Sequence, residues 1–223
     1  IMKISKLLSA ALIAASSLSF SSCSNGNDAQ DSYNAIVFVN YEGINEGYHV
    51  FKYTEPNKDE SINILSQVNF NDTPPALGTR VIGVFNVPYN IQIQNNMTLD
   101  CVGIGKLNAS GTLTSETFSG GVSFGAQFYL TSVSRAGDYI DITGLASAEK
   151  SKMRLVADAS TMQNEKPTLY LIYELEAPET IGNGQYFASF DISQITQNPM
   201  YTGFTLIINN SNSNGVSNFD FSL

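Results

Sequence analysis

The chain has no tryptophan, one histidine and two cysteines, and its 11 Lys and Arg are outnumbered by 20 Asp and Glu. Each shortage closes off a class of function. A net charge of −9 argues against nucleic acid, whose phosphates demand clustered cations. It argues equally against an electrostatic grip on anionic lipid. The lone histidine, His49, has no second histidine or cysteine pair with which to complete a zinc site, so neither a metal nor any other cofactor is expected. Helical periodicity is missing too: outside the N-terminal segment, no dozen residues carry apolar side chains at 3.6-residue spacing. No apolar run reaches the ~20 residues of a membrane-spanning helix.

What is present begins with a processing signal. Lys3 and Lys6 precede a run of apolar and small residues from Leu7 to Phe20, and "LSFSSC" ends at Cys23. This ending resembles a lipobox, in which the cysteine takes lipid and becomes the first mature residue. Phe20 and Ser22 stand where a strict lipobox has Leu and then Gly or Ala, a looser form similar to that of Bacteroidetes-type lipoproteins. The expectation is a signal peptide over 1–22, acylation (palmitate) at Cys23 and a flexible tether over 23–33. A soluble secreted chain cut near Ser21 is the alternative. Acylation would anchor the protein to the outer membrane. Asp28 and Asp31 form a thin version of a surface-export signal, which leaves cell surface and periplasmic face both open. With Cys23 lipidated, Cys101 has no disulfide partner, and its apolar setting "LDCVGIG" suits a buried, inert thiol.

Roughly 200 residues would remain, one large domain or two small ones. The pattern is all-β. Strand candidates rich in Val, Ile, Phe and Tyr occur at 35–41, 49–54, 61–70, 80–87 and 99–106, with Pro74-Pro75 forcing a loop between the third and fourth. Five short strands over 34–108 fit a small OB-fold-like barrel. The Ser/Thr/Gly-rich stretch 109–125 reads as a linker. Seven further candidates, at 126–133, 139–145, 153–158, 168–174, 185–192, 204–209 and 216–221, suggest a C-terminal β-sandwich over 126–223. "TLYLIY" is nearly continuous apolar sequence, as in a strand buried on both faces. "DYIDITG" alternates, with Ile140 and Ile142 inward and Tyr139, Asp141 and Thr143 outward.

Three short stretches carry a family resemblance: Gly78-Thr-Arg80-Val81 at the entry to the fourth strand, Gly137-Asp-Tyr139-Ile140, and Ser189-Phe190-Asp191. With the lipobox and acidic tether ahead of them, they resemble the NigD-like lipoproteins. That resemblance covers the whole mature chain and implies an N-terminal OB-type domain and a C-terminal β-sandwich. It also implies a role near bacteriocin production or immunity. It brings no catalytic residues.

Several motifs invite a chemical reading. Gly121-Val-Ser123-Phe-Gly125 matches G-x-S-x-G, but a nucleophilic serine there needs a strand before it, a helix after it and a histidine base downstream. Ser123 follows the linker and precedes a strand, and His49 lies upstream in the other domain. Asp138 with Asp141, or Glu174 with Glu176, has the composition of an acid–base or calcium pair, yet both fall at alternating positions expected to face solvent. "NNSNSNG", Asn209 to Gly215, is sufficiently explained as a hairpin turn. Tyr41, Tyr48, Tyr53 and Tyr89 lie on or beside barrel strands, where OB-folds place ligand platforms, but tyrosines straddling core and solvent are the favoured explanation.

The resulting expectation is a lipid-anchored binding lipoprotein and not an enzyme, with a protein or peptide as partner. A glycan-binding accessory role in polysaccharide uptake is the alternative. The ligand-binding residues are not identifiable from sequence.

Overall fold

The computed structural model describes residues 32–67, 74–146, 151–175, 184–213 and 215–223. Cys23, the signal segment, almost all of the tether and Glu176 lie outside the described residues. The chain is all-β as expected: a barrel-like sheet followed by two further sheets packed as a sandwich.

The first sheet contains β1 (Ser32–Asn45), β2 (Tyr48–Thr54), β3 (Ser61–Ser66), β4 (Arg80–Pro88), β5 (Met97–Thr98) and β6 (Asp100–Gly105), in the order β5-β3-β2-β1-β4-β6. β1 starts inside the expected tether, because Ser32 and Tyr33 already pair with Pro88 and Val87. Closure comes from one segment with two partners. Met97 and Thr98 run parallel to β3, and the next residues run antiparallel to β4. Between them Leu99 N–H donates to Leu65 O at 2.9 Å and Cys101 N–H to Ser66 Oγ at 3.0 Å. Alternation then sorts the side chains. Val39, Tyr41, Phe51, Ile64, Val81, Phe85, Val87 and Leu99 form the enclosed core.

The sandwich pairs one sheet of β7 (Ala109–Thr112), β13 (Gly184–Asp191), β10 (Tyr139–Ala146) and β9 (Tyr129–Ala136) with a second. The second runs β15 (Gly215–Ser222), β14 (Gly203–Asn210), β12 (Thr168–Leu175), β11 (Ser151–Asp158) and β8 (Thr114–Glu116). Its core, which includes Phe128, Ile140, Ile142, Leu155, Leu169, Leu171, Phe190, Phe204 and Leu206, shares no residue with the barrel core. Two separate cores mark two folding units.

The stretch read as a linker has strand structure of its own. β7 pairs parallel with β13, and β8 pairs parallel with β11, so the chain edges both sheets of the sandwich before β9 begins. Its Ser, Thr and Gly composition hid this, because edge positions demand no apolar alternation. The remainder lies over β12. Phe118 and Phe124 set their rings 5.2 and 5.6 Å from Tyr170, edge-on, which covers the outer face of that strand. β12 is thereby buried on both sides, as its continuous apolar run required.

Candidate binding site

The serine motif has a backbone explanation. Gly121 and Gly125 both lie at positive φ, and a Cβ on Gly125 would sit 2.3 Å from the Tyr173 carbonyl oxygen. Glycine lets this segment dock on β12, where Ala126 N–H donates to Tyr173 O at 2.7 Å. Ser123 is exposed, and the chain continues into β9. His49 sits on β2 in the barrel, with Nδ1 2.8 Å from the Tyr41 hydroxyl.

Of the carboxylates expected to face solvent, Asp138 and Asp141 do something else. Asp138 lies in the β9–β10 turn and accepts from Thr196 Oγ1 and, at 2.9 Å, from Gln197 Nε2, fastening the short helix α1 (Ser193–Thr196). Asp141 does point away from the sandwich core. That direction leads into the barrel domain, so the residue is buried. Arg80 of β4 meets it with two hydrogen bonds, Nη2 to Oδ2 at 2.5 Å and Nε to Oδ1 at 3.1 Å. Ser189 donates its hydroxyl to Asp141 Oδ1 at 2.6 Å, and Asn40 Oδ1 accepts from Arg80 Nη1 at 2.8 Å. The guanidinium carbon lies 4.1 Å from the centre of the Tyr139 ring. Burial pushes the Asp141 carboxyl above its ordinary pKa, while Arg80 and the Ser189 hydroxyl act in the opposite direction by favouring the anion. Glu174 is exposed, 3.9 Å from Arg154. Asp138 and Asp141 therefore serve different contacts and are not paired for acid–base work. Among the described residues no three His, Cys, Asp or Glu side chains gather as a metal site.

The three stretches behind the family resemblance therefore meet at one place. Arg80, Tyr139 and Ser189, one from each, build the interdomain junction. Around it Phe38 packs edge-on against Phe187 at 6.1 Å, and the β9–β10 turn bonds to the loop after β2 through Gly137 N–H to Lys58 O at 2.9 Å. Arg135, also buried, pairs there with Asp59, and that hydrogen bond lowers the Asp59 pKa.

The tyrosines do not form a shared platform. Tyr41 is core, and Tyr89 leans on Tyr33 at 5.6 Å. Tyr53 is largely buried, and desolvation, reinforced by Glu55, pushes its phenol up to about 12. Tyr48 borders a hollow. Cys101 is half-buried, and burial raises its thiol pKa, so the reactive thiolate is disfavoured.

The hollow lies at the end of the barrel sheet beside β3. The segment from Asn90 to Met97 bounds a space of about 620 Å³ with Asn90, Gln92, Gln94, Asn95 and Asn96. Asn96 also borders a second space of about 320 Å³ with Asn45, Glu46, Tyr48 and Asn63. The loop is held by the sheet it overhangs. Asn95 Oδ1 accepts from Asn63 N–H at 2.9 Å, and Asn96 N–H donates to Asn63 O at 2.8 Å. Asn90 and Asn96 take φ of 63° and 60°, a conformation asparagine tolerates better than most residues. Carboxamides offer donors and acceptors without charge, so this cleft suits a neutral polar ligand such as peptide backbone or sugar hydroxyls. The sequence signal was the run "NIQIQNN" itself, which the sequence reading passed over.

No protein-family model matches the chain, and no curated protein matches it. Solved structures do match. A DUF1344 protein of unknown function from Bacteroides vulgatus superposes with a TM-score of 0.64 at 13% identity, over 85% of this chain and 90% of that one. A NigD-like immunity protein from Bacteroides caccae gives 0.51 at 11% identity, over 85% and 96%. The fold is that of the NigD-like proteins. A candidate lipoprotein from Bacteroides fragilis shares this fold, with a TM-score of 0.54 at 14% identity over 84% and 96%. The NigD-like resemblance seen in three short stretches thus extends to the architecture of both domains.

Proposed function

We propose that the protein is a lipid-anchored binding protein of the outer membrane, tethered through Cys23 and without catalytic activity, whose amide-lined barrel cleft holds a peptide segment of a protein partner. The cleft carries this reading. Its carboxamides from Asn90 to Asn96 adjoin, through Asn96, the space that Tyr48 and Glu46 border, and backbone amides of an extended segment would match those carboxamides. The immunity protein among the structural neighbours supports a toxin as that partner. Ser123 and His49 lying in different domains support a binding role over hydrolysis. Cells carrying the chain are expected to survive a bacteriocin-type toxin that kills cells lacking it; equal killing overturns the reading. The same carboxamides favour a second reading, a glycan ligand, which predicts a saturable thermal shift with neutral oligosaccharides.

A further inference from the structure

A strand at a sheet edge presents unpaired N–H and C=O groups, and folded proteins blunt such edges by keeping them short, bulged or covered. Among the described residues, five of the six sheet edges are blunted. β5, β7 and β8 are two, four and three residues long. β6 and β9 break register against β4 and β10. Side chains cap these two as well: Ser66 Oγ accepts from Cys101 N–H, while Asn210 Oδ1 and Asn212 Nδ2 bond the Leu130 N–H and C=O at 3.3 and 3.1 Å.

β15 is different. It is eight residues long and pairs with β14 without a register break, from Gly203↔Ser222 to Asn210↔Gly215. It contains no Pro, Lys or Arg, and Asp220 is its single charge. Leu223 N–H bonds Thr202 O at 3.1 Å, so odd-numbered amides of this strand face β14. By the alternation of an antiparallel ladder, Val216, Asn218, Asp220 and Ser222 turn their N–H and C=O groups outward. The side chains of Phe219 and Phe221 lie on the core side, only half-buried, at the margin of the sandwich core.

We propose that β15 is a self-association edge: two copies pair their β15 strands antiparallel about a two-fold axis at Phe219, joining their sheets. In this register Val216 faces Ser222 and Asn218 faces Asp220 through the outward amides. Ser217 faces Phe221 on the core side, and Phe219 faces its own copy, which covers the half-exposed rings. The charge pattern selects the register. An axis at Asp220 would oppose two carboxylates, and an axis at Asn218 would oppose Asp220 to Val216. Of the axes that pair Asp220 with another residue of β15, only the one at Phe219 gives the carboxylate an amide partner. An incoming strand must alternate in this way and carry no acid opposite Asp220, and β15 itself meets both conditions. The seam is narrower than the ~800 Å² per partner of a standard interface, so the dimer is expected to be concentration-dependent.

The test is sedimentation of the mature chain carrying Cys23→Ala, from micromolar to millimolar concentration. A reversible shift from monomer to dimer is expected, with slowed hydrogen exchange at the Asn218 and Asp220 amides. Asn218→Pro removes an outward N–H and leaves the β14 ladder intact, so it should hold the chain monomeric with an unchanged circular dichroism spectrum. Asn218→Lys, opposite Asp220, should tighten the dimer severalfold, and Asn218→Asp should loosen it, which keeps the test decisive if the proline variant misfolds. A chain that stays monomeric at millimolar concentration overturns the proposal. So does a dimer that all three substitutions leave unchanged.

Discussion

Replacing Asp141 with alanine tests the reading of the domain junction. The Arg80 and Asp141 side chains are 8% and 5% exposed, so the guanidinium would be left in a nearly dry site beside Asn40, Ser189 and the Tyr139 and Phe38 rings, with no anion to meet it. An uncompensated buried charge of this kind costs about 3–5 kcal/mol. Total stabilities run about 5–15 kcal/mol, so Asp141→Ala should remove a large share of the whole. The Arg154–Glu116 pair supplies an internal control. Its side chains are 44% and 43% exposed, and Glu116→Ala should cost at most about 1 kcal/mol. Removing both buried partners together, as Arg80→Met with Asp141→Leu, should cost much less than Asp141→Ala, since no charge is stranded. The assay is urea unfolding followed by tyrosine fluorescence and far-ultraviolet circular dichroism, with urea chosen because it leaves ion pairs unscreened. The reasoning is refuted if Asp141→Ala costs no more than Glu116→Ala, or if the double variant is as unstable as the single one.

Two further outcomes are expected. Tyr53 ionises at about 12 in the fold and near 10 when unfolded, so its contribution is intact below pH 10 and lost as the pH rises through 12, a change of about 2–3 kcal/mol. Ultraviolet titration should show a late phenol that Tyr53→Phe removes, and a single transition near 10 for every tyrosine would contradict this. Gly125→Ala forces a left-handed alanine against the Tyr173 carbonyl and should lower stability by more than about 1–2 kcal/mol in urea melts, whereas Ser123→Ala should stay within about 0.5 kcal/mol of the parent. Equal effects of the two would restore a special role to the serine.

The fold was largely legible because burial on one face writes a two-residue period into sequence. Twelve strand candidates correspond to β1–β4, β6 and β9–β15, and the misses are the short edge strands β5, β7 and β8. Those three pair through their backbones and bury little side chain, so composition carries no mark of them. Asp141 shows a different limit. Its alternation with Ile140 and Ile142 correctly gave the direction of the side chain. What that direction meets depends on the docking of a second domain, which no local period encodes. Arg80 was visible as a lone cation heading an apolar strand, and its partners sit 61 and 109 residues away. The cleft was hidden because Asn and Gln read alike in any surface loop. The hydrogen bonds of Asn63 N–H to Asn95 Oδ1 and of Asn96 N–H to Asn63 O show that the loop is held in place over the sheet.

The most direct measurement is survival of toxin-sensitive cells, challenged by bacteriocin-producing strains, that carry the parent chain, Cys23→Ala, or Gln92→Ala with Gln94→Ala. The two glutamines are exposed on the cleft and make no bond that the fold requires, so their loss should leave the protein folded and abundant. Protection by the parent chain alone, with both variants sensitive at equal expression, is the predicted result. Protection that persists without the cleft amides and without the lipid anchor would contradict the account, as would killing that none of the three prevents.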